Sequence, residues 1–293
     1  MCSRVTIFGL AQGFDVCSLH AKSERVNITA FIAYRRMDKA LRSFSCMVLV
    51  DNLILLMHLF NFIVDETSKL IKIVVDDNSS ARGLACIICN DYLGCKRLGT
   101  LYGAIKDSEA LDSTFKHLNF ATIVRPNSKK DVIENLIRAI ALYPNYPPTY
   151  NCFAIIFSGH GGSKRKVYSN AGEEVDIESA LIKPFDVKDT RIKDFPKLVF
   201  IDACRGRLRT KGTLKEELPK PVNFLIAYSA RYGYVSYETD SGGIWMQKLA
   251  AAIKGNTTSS IGDVVSRVND EVIKEGIEPP EYHNTNVTIV LTG

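Results

Sequence analysis

Two segments of this chain share one design, and together they constrain the fold more than anything else in it. Lys197–Arg207, KLVFIDACRGR, carries an apolar run (Leu198, Val199, Phe200, Ile201) that reads as a buried strand. Cys204 lies just past its end, and Arg205 and Gly206 begin a loop. Upstream, Cys152–Gly162, CFAIIFSGHGG, repeats the plan: an apolar strand, then His160 on a glycine-flanked turn. In an open α/β sheet the carboxyl ends of the strands are where chemistry collects. A cysteine placed there beside an arginine is positioned for a lowered thiol pKa.

The rest of the second half alternates strands with helices. Leu84–Ile88, Phe120–Arg125, Phe153–Phe157, Leu198–Ile201 and Phe224–Tyr228 read as strands, and Val287–Leu291 as an apolar strand closing the chain. Val167–Ser169 reads as an edge strand or hairpin, and Asp176–Ile182 as a short helix. Ala104, Ser108, Leu111, Phe115 and Leu118 fall at helical spacing, as do Trp245, Leu249 and Ile253 within Gly243–Ile253. Ser128–Asp131 has the form of a capping box ahead of Val132, Leu136, Ile137 and Ile140, in a helix that must stop before Pro144. Ser260–Ile273 carries Ile261, Val264, Val265, Val268 and Val272 on one face. This alternation implies an α/β fold with a mostly parallel sheet.

Residues 1–81 form an N-terminal segment of different character. Ser43–Val64 is apolar but interrupted by Asp51, Asn52, His58 and Asn61. A central aspartate costs about 3 kcal/mol on membrane insertion, so a buried helix or helix pair is expected rather than an anchor. Asp65–Ser80 ends in polar residues and reads as a domain boundary. Residues 207–222, RLRTKGTLKEELPKPV, are polar with two prolines and read as an exposed linker between regions 82–206 and 223–293.

Composition narrows the function classes. The net charge of +5 is spread along the chain, without the dense basic patch that nucleic-acid binding needs. The eight cysteines have no framework spacing and no signal peptide opens the sequence, which points to free thiols in a reducing, cytoplasmic compartment. Cys86 and Cys89 form a CxxC, with Cys95 nearby, but they sit in an apolar strand-like run without a second ligand pair, so no metal or other cofactor is expected. No glycine-rich phosphate loop follows the first strand, which removes a nucleotide-binding domain.

A thiolate is a nucleophile for acyl transfer, and an imidazole can generate it and then protonate the leaving amine. Either Cys204 or His160 alone could be structural. Each at a strand end, one followed by glycine and the other by Arg-Gly, they read as nucleophile and general acid/base. Gly161 permits close backbone approach, and its amide and that of Cys204 are the natural oxyanion donors.

These residues resemble the caspase family. IDACRG is similar to its nucleophile signature with Asp202 in place of the leading glutamine. RGLACIICNDYL (82–93) resembles the opening strand of the large subunit, and Arg97-Leu98-Gly99-Thr100 its R-x-G-T loop. AYSARYGYVSYETDSGGIWMQKL (227–249) resembles the start of the small subunit, and NVTIVLTG its last strand. The resemblance covers residues 82–293 and implies a three-layer sandwich, a mostly parallel sheet with helices on both faces. It also implies a cysteine endopeptidase with Cys204 and His160 as its dyad. Residues 82–206 would be the large-subunit region and 223–293 the small-subunit region, and long-prodomain members carry helical recruitment modules where residues 1–81 stand. Ser236 and Tyr237 would lie along an extended substrate bound as an added strand, with Tyr237 where a tryptophan usually lines the second substrate pocket. Apoptotic or immune signalling and dimerisation through the last strand, here Val287–Leu291, are implied as well.

The first substrate pocket departs from the pattern. Caspases hold an aspartate with two arginines and a glutamine. Here Arg97 matches one arginine, but Asp202 and Glu238 occupy the other two positions, so the formal charge falls from +2 to −1. Paracaspases and metacaspases resemble this, with acidic pockets and cleavage after basic residues. Three outcomes are open at this level: a pocket for arginine or lysine, an Arg97 paired internally with Asp202 or Glu238, or a dead pocket. Between Asp202 and Asp240 the chain has no aspartate for self-processing, but it offers Arg207, Arg209, Lys211, Lys215 and Lys220. The competing function is a weak or inactive regulator that dimerises with a second copy or another caspase, or acts as a decoy.

Overall fold

Four strands of the central sheet are buried at every residue: β1 (Gly83–Cys89), β3 (Cys152–Ser158), β6 (Lys197–Asp202) and β7 (Phe224–Tyr228). Such continuous apolar runs form the middle of a sheet covered on both faces. With β2 (Phe120–Val124) and β10 (Glu281–Asn284) they make one six-stranded sheet in the order β10-β7-β6-β3-β1-β2. All pairings are parallel except β10 on β7. The computed structural model describes residues 66–163, 165–186, 191–206, 221–277 and 280–292. Ser43–Val64 and most of the linker, 207–220, lie outside the described residues.

Helices cover both faces. On one side α1 (Ala104–His117), α3 (Ile244–Lys254) and α4 (Ile261–Lys274) bury Leu111, Phe115, Trp245, Leu249, Val264 and Val268 in one core. On the other, α2 (Lys130–Leu142) and the helical residues 66–77 bury Leu136, Ile137, Ile71 and Val75 in a second. The helical residues 66–77, which precede position 81, thus pack into the same core as the sheet. Ile71 and Val75 were hidden among charged neighbours in the sequence, and only the sheet face gives them a partner. Cys86 and Cys89 point to opposite faces, one into each core, so the CxxC cannot converge on one ion.

Local chemistry moves some boundaries. Ser260 caps α4 by accepting the Asp263 N–H, an interaction worth about 1 kcal/mol. The capping box expected at Ser128 does not form. Its N–H goes to Asn90 Oδ1 and its hydroxyl to Arg125 O, so α2 starts after Lys129 and leaves Val132 exposed.

The end of the chain also differs from expectation. Val287–Leu291 is not a sheet strand. It makes a single antiparallel bridge, Val290 to Ser260, and buries Val287 and Leu291 against the α1/α3/α4 core, while Arg82 donates to Val290 O and Thr292 O. The edge strand is instead the polar EYHN of β10. Glu281 pairs with Arg205, and Phe224 N–H donates to Thr285 Oγ1 at 3.0 Å just past the strand. Those are tertiary bonds with no trace in the hydrophobic pattern.

Two small hairpins flank the sheet's carboxyl end. β4 (Lys166–Tyr168) pairs with β5 (Glu174–Asp176), and β8 (Glu238–Thr239) with β9 (Gly242–Gly243).

Candidate active site

β3 and β6 are parallel neighbours in register from Phe153↔Lys197 to Ser158↔Asp202. His160 and Cys204 therefore each lie two residues past the same paired position, at the carboxyl end of the sheet. Gly159 N–H carries the ladder one step further, to Asp202 O at 3.0 Å. Gly161 then presses against the loop that carries Cys204: a Cβ built on it would stand 2.0 Å from Cys204 O and 2.9 Å from Ala203 Cβ. Only glycine permits that approach.

The loop after β1 orients His160. Its Nε2 lies 2.7 Å from Gly99 O, and since a carbonyl only accepts, Nε2 carries the proton and a neutral ring has Nδ1 as its base. The ring packs on Tyr92 with centroids 4.6 Å apart. Neither Gly99 nor Tyr92 was legible as a site residue. Gly99 acts through its main chain, and Tyr92 reads as ordinary core.

Cys204 Sγ accepts Ser236 N–H at 3.4 Å and lies 3.8 Å from Ser236 O. Burial pushes the thiol pKa up, with Asp202 adding to the rise and the Ser236 amide opposing it. The lowered pKa expected from Arg205 is not found, because that side chain turns away. It is 3 % exposed, stacks on Tyr228 at 4.1 Å and pairs with Glu281 on β10.

Beside the dyad is a cleft of about 90 Å³ lined by Leu101, Ser158, Gly159, His160, Asp202, Cys204, Ser236, Tyr237, Glu238 and Gly243. Asp202 Oδ1 accepts Ser236 Oγ at 2.5 Å, whereas Oδ2 is buried with no hydrogen-bond partner among the described residues. Beneath lies a third carboxylate, Asp107 on α1, held by Ser158 Oγ (2.9 Å), Gln247 Nε2 (2.7 Å) and Gly243 N–H (3.0 Å). The Gly242–Gly243 pair lets the hairpin close on both groups: a Cβ at 243 would meet Asp202 Oδ2 at 2.0 Å, and one at 242 Asp107 Oδ1 at 2.2 Å. Burial first, and then Asp202, raise the Asp107 pKa to about 6. Burial first, and then Asp107, Asp202 and Asp240, raise that of Glu238 to about 7. Asp202 is raised too, by burial. Asp107 was missed in the sequence because it sits on a helix remote from both motifs.

The family model described as Caspase domain matches residues 82–290. The chain belongs to the caspase-domain family. It is 21% identical to Caspase-2 of Gallus gallus over 70% of this chain and 55% of the relative. It is 26% identical to Caspase-10 of Homo sapiens over 66% and 40%, and 27% identical to Caspase-7 of Gallus gallus over 63% and 65%. The matches thus span about half the length of the first two relatives.

Within this caspase domain seven of the eight expected site residues converge: Cys204, His160, Asp202, Ser236, Tyr237 and Glu238 line the cleft, and Gly161 abuts Cys204. Arg97 does not line it. Its loop is tied back by Cys95 N–H to Tyr92 O and Leu101 N–H to Asp91 O, which aims Gly99 O at His160. The exposed Arg97 side chain lies instead over Gly172, donating to its carbonyl at 3.4 Å. Among the described residues no salt bridge joins Arg97 to Asp202 or Glu238. No lysine or arginine among the described residues lines the cleft.

The acidic cluster has a stability signature. The folded-state pKa of Asp107 is above its unfolded value of 3.8, so its contribution is full below about pH 4 and is lost as pH rises through 6. Asp107→Asn is expected to flatten the fall in unfolding free energy between about pH 4 and 7, measured by urea titration, by an amount on the order of 3 kcal/mol. An unchanged slope would mean that Asp107 is ionised without cost.

Proposed function

We propose that this caspase-domain protein is a cysteine endopeptidase that cuts polypeptides after arginine or lysine. The observation that carries the reading is the buried Asp202 Oδ2, without a hydrogen-bond partner among the described residues, beside Asp107 and Glu238 in a cleft that no described lysine or arginine lines. A guanidinium fits such a pit because it can satisfy several carboxylate oxygens at once, and it removes the mutual repulsion that raises their pKa values. An aspartate there would add a fourth acidic group to three carboxyls that already repel one another.

The chemistry follows from the dyad. The Cys204 thiol gives its proton to His160 Nδ1 as Sγ attacks the scissile carbonyl, and the Gly161 and Cys204 amides take the oxyanion. Protonated His160 passes that proton to the leaving amine, giving a thioester. It then deprotonates a water that releases the acid and the thiol. Ser236 and Tyr237 would pair with the substrate as an added strand. With the pocket so read, Arg207, Arg209, Lys211, Lys215 and Lys220 become self-processing sites. The described cysteines are free thiols, in keeping with a cytoplasmic enzyme, and no described helix is long and apolar enough to cross a membrane. Pairing with a second copy or another caspase would use the edge at β10. Signalling in cell death or immunity is the setting that the resemblance to caspases implies.

The raised thiol pKa favours one competing reading, a regulator that dimerises or acts as a decoy without turnover. A positional-scanning peptide library on purified protein, with Cys204→Ala as control, separates the two. Cleavage after arginine or lysine, absent in the control, is expected. Cleavage after aspartate, or of nothing, overturns the proposal.

A further inference from the structure

The residue that most completely surrounds His160 is Tyr92, which the chemistry above does not use. Its side chain is fully buried, yet its backbone adopts φ of 59°, a conformation that bulky residues rarely accept. It is held there by its own N–H donating to Asn170 Oδ1 at 2.9 Å. The phenol oxygen accepts His160 N–H at 2.8 Å and donates to Tyr168 O at 2.7 Å. Tyr168 N–H in turn donates to His160 O at 2.9 Å. Both main-chain groups of His160 are thus fixed, one by Tyr92 and one by the strand that Tyr92 anchors. The ring of Tyr92 covers the imidazole, and Gly99 O takes the Nε2 proton. Gly159 belongs to the arrangement, since a Cβ there would lie 2.5 Å from the Tyr92 hydroxyl.

We infer that Tyr92 is the positioning residue of the dyad, and that its hydroxyl holds the His160 main chain so that the imidazole keeps its Nε2 on Gly99 O and its Nδ1 free for the Cys204 proton. The inference rests on the proposed protease reading and adds to it a residue that touches neither substrate nor thiol. Burial raises the phenol pKa well above its usual value, so the hydroxyl keeps the proton it gives to Tyr168 O. A phenylalanine at 92 would retain the ring contact and leave His160 N–H without this acceptor.

The test is Tyr92→Phe in the full chain, assayed on an arginine-ended peptide with active sites titrated by a peptidyl electrophile. We expect kcat per titrated site to fall about tenfold or more, with KM within about twofold, because misplacing a general base costs turnover and leaves the substrate pocket alone. A tyrosine with only a structural role would reduce yield or melting temperature and leave kcat per titrated site unchanged, and that result would overturn the inference. The ring 15N spectrum of His160, assigned by His160→Gln among the five histidines, gives a readout without turnover. The wild type is expected to show one Nε2–H tautomer, and Tyr92→Phe a mixture. Identical spectra would also overturn it. A wild type that cuts no peptide would sink the protease reading, and the spectra would still decide the role of Tyr92.

Discussion

Asp202→Asn is expected to lower kcat/KM for arginine-ended peptides by about a hundredfold to a thousandfold near pH 7.5, while leaving the melting temperature unchanged or higher. Truncating one partner of a buried, hydrogen-bonded charge pair costs about 2–5 kcal/mol, and each 1.4 kcal/mol is roughly tenfold. The unliganded protein is expected to behave in the opposite sense. Asp202 is buried, burial raises its pKa, and Oδ2 has no hydrogen-bond partner among the described residues, so an uncharged amide relieves a desolvation cost. Gain of stability with loss of function is the signature of a group kept for its ligand. Glu238→Gln should cost less, because that residue stands at the exposed mouth of the pit. Arginine cleavage that survives Asp202→Asn undiminished would remove the carboxylate pit from the specificity argument.

Gly161→Ala and Gly162→Ala are expected to differ sharply although the residues are adjacent and identical. The new methyl at 161 would stand 2.0 Å from the Cys204 carbonyl, a main-chain atom that cannot rotate away. The loops that carry His160 and Cys204 must then separate by about 1 Å, a misplacement able to cost about a hundredfold in turnover. Overpacking of this kind also costs about 1–3 kcal/mol of stability. At 162 the nearest atom is the Tyr168 hydroxyl at 2.9 Å, the end of a side chain that can shift. Gly162→Ala should therefore retain most activity. Equal losses in both variants would mean that the close approach at Gly161 has no special part in the site.

The fold was legible where burial on both sheet faces leaves continuous apolar runs. β1, β3, β6 and β7 all coincide with such runs, and the helical faces of α1, α3 and α4 carry the residues their spacing marked. β10 was not legible, because EYHN is a polar edge strand held by Arg205 and Thr285 rather than by apolar burial. Val287–Leu291 misled for the converse reason. Its apolar residues are buried against helices, and hydrophobicity alone cannot tell a helix-facing segment from a strand.

The sequence by itself determined that Cys204, His160 and Gly161 stand just past the ends of two buried strands, since a motif records side-chain type at a strand end. It also determined that the pocket positions of Asp202 and Glu238 are acidic. Only the tertiary structure decided what surrounds them. It turned Arg97 onto Gly172 and Arg205 onto Glu281, so neither cation serves the site, and it brought Asp107 from α1 beneath the pocket and Tyr92 beneath His160. The physical reason is that charge acts through distance and burial, and a linear chain states neither until its strands are in register.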